Sequence, residues 1–277
     1  MTMTWNDKLM MITTWNDDKL KQLTASKGLS EEAKAAVCMF MNCLRFNEIE
    51  PEEIHVCFDD DGVLHKWNQF EITIPAEYAD MDEKARVDFI NEEVYKRLGE
   101  KDYFYNLPCQ QAMMDFAYML HELGVDVKVI SCSIDAYTDM QKYKALSEQM
   151  PWLDKKDIYL LPDGRGKMKY LYLPEDIREA MDDITILIDD HTPNCRGFNY
   201  YGDSHNTLAI KCINDINGNG KNGSKSWKGL TLPYNDIGTA FYSLREGVDA
   251  VMKEREKERK EKEQEQLDND TCDTYDR

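Results

Sequence analysis

The chain has 277 residues, with 42% hydrophobic and 31% charged residues, which is the balance of a globular protein with a full core. Its net charge of -19 would repel nucleic-acid phosphates and anionic lipids, so bulk binding to nucleic acid or to a membrane is not expected. The stretch from residue 253 onward holds seven basic and ten acidic residues, so most of the acidity belongs to the body of the protein. A phosphorylated substrate would therefore need a local cation, such as a metal ion.

The first twenty residues contain no basic start followed by an apolar run, and no apolar stretch approaches 18 residues. A secretory signal and a membrane span are therefore not expected. The eight cysteines form no C-x-x-C pair, which favours a reducing cytoplasm over a disulfide framework. The hexapeptide of residues 4–9 recurs with one added Asp at 14–20, and either a duplication or a start at Met10 or Met11 explains the repeat.

Residues 1–50 are predicted to form a helical N-terminal segment. Ser30 is placed to cap a helix that begins with Glu31 and Glu32, since a hydroxyl and acidic side chains both favour a helix N-terminus. Apolar residues then recur on one face of that helix.

Residues 51–250 alternate between short apolar runs and helical segments. This alternation predicts an α/β domain with a Rossmann-like parallel sheet covered by helices on both faces. The predicted helices are residues 110–123, 137–150 and 168–181. The predicted strands are residues 54–58, 127–131, 158–161, 184–188 and 207–210.

The segment at about 65–107 interrupts the alternation and is predicted to be a small cap insert. It contains a possible hairpin at 70–74 and a helix near 81–98. Its aromatic residues either stack on a substrate base or, as we prefer, form the core of the cap; they are Trp67, Phe70, Tyr103 and Tyr105. Residues 251–277 are predicted to form a charged tail, helical at first and then disordered, because the sequence lacks an apolar stripe.

Acidic residues follow two of the predicted strands. Asp59 and Asp61 come directly after the first strand, and Asp189 and Asp190 follow the fourth. Carboxylates at the ends of buried strands are costly to ionise together unless a cation lies among them, and hard cations prefer oxygen ligands. A polar turn and an acidic helix cap are the alternatives, but two such pairs in one parallel sheet favour a magnesium site.

Further groups are expected at the same edge. Ser131 ends the second strand and could hold a phosphate oxygen. Lys167 follows a Gly-rich turn, where its cation could offset phosphate charge, and Lys169 is the alternative lysine.

The segment 215–226 resembles the opening of a calcium loop, but Ser226 stands where Glu is expected, so a flexible turn is the better interpretation. The five histidines lack zinc-ligand spacing, although His65 and His191 are expected near the site.

The order of these motifs resembles that of the haloacid dehalogenase superfamily of phosphatases. The matching elements are the D-x-D-G-V-L sequence at 59–64, a serine after the second strand, a lysine and the later acidic pair. The resemblance implies that Asp59 is the phosphate-accepting nucleophile and Asp61 the general acid and base. It also implies that Ser131 and Lys167 bind phosphate.

Magnesium would be held by the aspartates, which are Asp59, Asp61, Asp189 and Asp190. The sequence at 187–194 is similar to the 5'(3')-deoxyribonucleotidase branch, and 209–218 to its bacterial and phage relatives, which implies a bacterial or phage-infected cytoplasm. The expected function is therefore magnesium-dependent hydrolysis of a small phosphomonoester, with a nucleotide as the implied substrate. The alternatives are a sugar-phosphate phosphatase and a non-catalytic acidic binding module that retains the fold.

Overall fold

The computed structural model describes residues 17–26, 28–66, 101–214 and 226–275, together with separate positions between 85 and 100. Much of the proposed cap, with its hairpin and helix, and the calcium-like loop at 215–225 lie outside the described residues. Among the residues that are described, no helix is both long and apolar enough to cross a membrane.

A six-stranded parallel sheet forms the centre of the protein, in the order β3-β2-β1-β4-β5-β6. The strands are β1 Ile54–Phe58, β2 Asp126–Ser133, β3 Ile158–Pro162, β4 Ile184–Asp189, β5 Thr207–Ile213 and β6 Thr231–Pro233. The expected α/β parallel sheet is confirmed, and β6 is an addition that the sequence did not indicate. The central strands β1 and β4 are buried along their whole length, as strands with two covered faces must be.

Helices cover both faces of the sheet. Among the described residues, the α-helices are α1 Asp17–Ser26, α2 Glu31–Phe46, α3 Gln111–Glu122, α4 Ala136–Gln149, α5 Glu175–Glu179, α6 Thr192–Tyr201 and α7 Ile237–Tyr275. In the same part of the chain, 3-10 helices span Pro51–Glu53, Lys155–Asp157 and Gly166–Tyr172. In α2, the Ser30 hydroxyl accepts a hydrogen bond from Ala33 N at 3.2 Å, which confirms the expected cap.

The larger core lies between one face of the sheet and helices α2, α3 and α7. A chain of aromatic rings crosses it: Phe58 of β1 packs on Phe116, Phe116 on Phe241, and Phe241 on Phe40, with ring centroids 4.8–5.9 Å apart. The N-terminal helix α2 is thus part of the main core. On the opposite face, a smaller core packs α6 and the last 3-10 helix against β1 and β4.

The expected helix over 168–181 is wrong. The structure has the 3-10 helix Gly166–Tyr172, then the short α5, with Leu173 extended between them (ψ 152°). Pro174 explains the break, because proline cannot donate an intrahelical hydrogen bond and restricts the preceding residue to extended backbone. The break matters for the site, since the 3-10 helix carries Lys169.

Candidate active site

The site lies at the carboxyl edge of the sheet, where β1 and β4 end side by side. Phe58 is the register partner of Ile188, and the amide N of Asp59 donates to the carbonyl O of Ile188 at 2.8 Å. This pairing continues the ladder by one residue and places Asp59 beside Asp189. Both side chains are almost completely buried.

Three carboxylates meet at this edge. Asp59, Asp189 and Asp190 each offer an oxygen, and the three atoms lie within 4.8 Å of one another. Burial and the neighbouring carboxylates raise the pKa of Asp59 to about 7 against the opposing charge of Lys169, and raise the pKa of Asp190 well above its usual range. Burial is the largest cause of both shifts, so ionising these carboxylates together is unfavourable unless a cation lies among them. An all-oxygen donor set of this kind fits a hard divalent cation.

Lys169, and not Lys167, is the lysine at this cluster. Its Nζ atom lies 2.8 Å from Oδ1 of Asp59 and 2.6 Å from Oδ2 of Asp189, and its side chain is fully buried. Burial lowers the pKa of Lys169, but the two carboxylates outweigh it and raise the pKa overall, so the side chain is an ammonium ion. Lys167 is exposed. The expected phosphate lysine was Lys167, with Lys169 as the alternative; the 3-10 helix turns residue 169 inward to the carboxylates and residue 167 outward to solvent.

Asp61 belongs to a second group of side chains beside the first. Lys142 of α4 pairs with Oδ2 of Asp61, and its Nζ also donates to Oγ of Ser131 at 3.1 Å and to the carbonyl of Cys132 at 2.9 Å. Ser131 and Asp61 are thus brought together through a lysine that is itself buried. Asp61 was expected among the metal ligands, and its carboxylate lies outside the three-carboxylate group.

Two polar atoms at this edge are buried and, within the described part of the chain, have no hydrogen-bond partner. They are Oδ1 of Asp61 and Oγ of Ser133. Burying such atoms without a partner costs on the order of 1–3 kcal/mol each. A bound ligand that supplies the missing partners would recover this cost. Burial also raises the pKa of Asp61, against the opposing charge of Lys142.

Gly62 and Asn214 fix the carboxylate of Asp190. The Nδ2 group of Asn214 donates to Oδ2 of Asp190 and to the carbonyl O of Gly62, each at 2.9 Å. Gly62 has φ +85°, and a Cβ atom there would lie 2.4 Å from Oδ2 of Asp190. Glycine is therefore required at position 62 by both its backbone conformation and the close approach of Asp190.

The remaining candidates fall in several places. His191 precedes α6 and its amide N donates to Oδ1 of Asp189 at 2.7 Å, so it supports that carboxylate through its backbone. His65 is buried against Asp60. Tyr103 is buried and Tyr105 donates to Glu148 at 2.7 Å, whereas Trp67 and Phe70 lie outside the described residues.

The sequence interpretation missed Lys142 and Asn214. Lys142 occupies the buried face of α4, where Thr138 and Ala145 are its neighbours by helical spacing. A lysine in a buried stripe, on the helix that follows Ser131, is the signal that could have found it. Asn214 directly follows β5 at the carboxyl edge of the sheet, so the rule that led to the aspartates applied to it as well.

No family model matches the sequence, and no curated protein matches it. Among solved structures, the chain is similar to the crystal structure of cytosolic 5'-nucleotidase IIIB bound to cytidine. The identity is 13% and the TM-score 0.41, over 79% of this chain and 93% of that one. Similarity at this level decides neither chemistry nor substrate, which must follow from the residues of the site.

Proposed function

We propose that this protein is a magnesium-dependent phosphomonoester hydrolase that forms an aspartyl-phosphate on Asp59 and acts on nucleoside monophosphates. The observation that carries the proposal is the contact of Asp59 with buried Lys169 inside the cluster of Asp189 and Asp190. A buried carboxylate beside a fixed cation, with two further carboxylates that could hold a metal ion, suits a nucleophile that accepts a phosphoryl group.

In the first step, an oxygen of Asp59 attacks phosphorus in line as the bond to the leaving oxygen breaks. Lys169 lowers the pKa of Asp59 against the effect of burial, which favours the ionised nucleophile, and it offsets charge on the phosphoryl oxygens. Asp59, Asp189 and Asp190 would hold the magnesium ion, which when bound supplies further positive charge at the phosphoryl group. Ser131 and Ser133 supply hydroxyl groups at the same edge.

Asp61 acts as the general acid and then as the general base. Its raised pKa favours the protonated form, and its buried Oδ1 has no partner among the described residues, so that atom is available for proton transfer. Asp61 gives a proton to the leaving alkoxide and then removes one from the water that attacks the aspartyl-phosphate. Hydrolysis releases phosphate and regenerates the carboxylate of Asp59. Lys142 holds the other oxygen of Asp61.

The test is phosphate release from ribonucleoside and deoxyribonucleoside monophosphates, sugar phosphates and para-nitrophenyl phosphate, with magnesium or with chelator. We expect magnesium-dependent release that is fastest for nucleotides. The Asp59→Asn variant should lose on the order of a thousandfold or more in kcat, about 4 kcal/mol in the barrier. Asp163, an exposed carboxylate on the turn after β3, provides the matched control, and Asp163→Asn should retain full activity.

The outcomes separate the parts of the proposal. Preference for sugar phosphates would retain the mechanism and overturn the substrate. Near-normal turnover by Asp59→Asn would overturn the mechanism. A folded protein that releases no phosphate from any of these compounds would contradict the proposal and favour a binding module.

A further inference from the structure

Helix α4 touches the turn that carries the nucleophile at two places. Lys142 contacts Asp61, and Gln149, at the end of the same helix, contacts His65 with Oε1 2.6 Å from Nε2. These two helix residues are seven positions apart, which corresponds to two turns and about 10 Å. The segment from Asp61 to His65 is thus held at both of its ends by one helix.

His65 also reaches back to the residue between the two proposed catalytic aspartates. Its Nδ1 atom lies 2.5 Å from Oδ1 of Asp60, and both side chains are almost fully buried. Burial alone lowers the pKa of His65, but Asp60 and the other acceptors raise it to about 11. The imidazole is therefore charged at neutral pH and donates from both ring nitrogens, to Asp60 and to Gln149.

The backbone of the turn closes around the same pair. The carbonyl O of Asp60 accepts from the amide N of Leu64 at 3.0 Å and of His65 at 2.9 Å. In return, the carbonyl O of His65 accepts from the amide N of Gly62 at 2.8 Å. Cys109 adds a second donor to Oε1 of Gln149, at 2.8 Å. The position of Asp60 is thereby determined by both main-chain and side-chain contacts.

A buried ion pair is weak evidence for stability, because desolvation offsets most of its attraction and an apolar pair of similar volume is often as stable. The ion pair with His65 instead fixes the direction of the Asp60 side chain. Asp60 lies between Asp59 and Asp61 in this turn, so contacts that hold both its side chain and its carbonyl O restrict the backbone from which those two side chains leave.

We propose that His65 is a positioning residue which, by joining Asp60 to Gln149, fixes the directions of Asp59 and Asp61. The inference deepens the proposed function and rests on it. It predicts that loss of the His65 contacts lowers kcat more than it changes KM, because the substrate-binding groups stay in place while the reacting groups lose alignment.

The experiment compares His65→Gln with His55→Gln. His55 lies on β1 at the opposite end of the sheet, where it is also buried against a carboxylate, with Nδ1 2.6 Å from Oδ2 of Asp126. Hydrolysis of para-nitrophenyl phosphate with magnesium is measured at a temperature at which circular dichroism shows both variants folded. We expect His65→Gln to lower kcat by about 10-fold to 100-fold at nearly constant KM, and His55→Gln to keep kcat within about twofold.

Variants at Gln149 test the same connection without removing a charge. Gln149→Leu removes the acceptor and should lower kcat in the same direction as His65→Gln, whereas Gln149→Glu keeps an acceptor and should stay within about threefold of the parent. These variants decide the question if His65→Gln does not fold.

Three results would count against the inference. They are a folded His65→Gln protein with parental kcat, an equal kcat loss in His55→Gln, and a Gln149→Leu protein with parental kcat. A parent protein that releases no phosphate would overturn the proposed function and this inference together. An active parent with any of those three results would overturn the inference alone.

Discussion

The Nζ atom of Lys169 lies 2.8 Å from Oδ1 of Asp59, although the two residues belong to elements on different parts of the sheet. Asp59 follows β1 near the centre, and Lys169 belongs to the 3-10 helix that follows the edge strand β3. This helix packs against α6 and brings Lys169 back over the sheet to Asp189. The cation that neutralises the proposed nucleophile therefore comes from the segment in which Pro174 interrupts the helix.

Replacement of Lys169 tests which lysine serves the site. We expect Lys169→Met to lower kcat by roughly 100-fold to 1000-fold, because the developing phosphoryl charge and two buried carboxylates would lose their fixed cation. Lys167→Met is the matched control and should remain within about twofold, since its side chain is exposed. Steady-state kinetics of both variants provide the measurement. A larger loss in Lys167→Met than in Lys169→Met would contradict the assignment.

Replacement of Asp190 should separate stability from metal binding. The pKa of Asp190 is raised in the folded protein, so this carboxylate opposes folding at neutral pH in the absence of a cation, and its unfavourable contribution decreases as the pH falls. We expect Asp190→Asn to raise the Tm of the metal-free protein. The same variant should lose most of the Tm increase that magnesium produces in the parent. Thermal unfolding with chelator and with magnesium measures both effects, and a lower metal-free Tm would contradict the prediction.

Gly62 should not tolerate a side chain. In Gly62→Ala, the new Cβ would lie 2.4 Å from Oδ2 of Asp190, so the carboxylate or the turn must shift. Gly164→Ala is the control, because Gly164 also has a positive φ (75°) but no atom within 4 Å of the new Cβ. Both variants should lose about 1 kcal/mol or more of unfolding free energy, because alanine is strained at a positive φ. Only Gly62→Ala should also lose magnesium affinity, as measured by calorimetry, and equal affinity in the two variants would show that the contact with Asp190 is unimportant.

His55 should make stability depend on pH at the end of the sheet opposite the site. Burial lowers the pKa of His55, but hydrogen bonds to Asp126 and Asp183 outweigh it, so the folded pKa is raised. The resulting stabilisation is fully present below the unfolded pKa of about 6.5 and is lost as the pH rises through the folded value. We expect the difference in unfolding free energy between the parent and His55→Gln to shrink over that range. Urea unfolding at several pH values measures it, and a constant difference would rule out the titration of His55.

Strands β1 to β5 were predictable because each is a short, largely apolar run, and the prediction for β1, which is buried along its whole length, matches its bounds. β6 was not, since three residues paired at the edge of a sheet carry too little pattern. Side-chain periodicity predicts one longer helix in place of the 3-10 helix at Gly166–Tyr172. Periodicity does not show that the backbone hydrogen bonding is broken at Pro174.

The sequence by itself determined the carboxylates of the site. Asp59 directly follows β1 and Asp189 ends β4, and the carboxyl ends of parallel strands lie at the same edge of the sheet whatever the details of packing. Which lysines and which amide contact these carboxylates was decided only by the tertiary structure. Lys169, Lys142 and Asn214 reach the edge from a 3-10 helix, a helix face and the end of β5, and their inward direction depends on how those elements pack. Periodicity along the chain contains no distance between such elements, so these contacts exist only once the chain has folded.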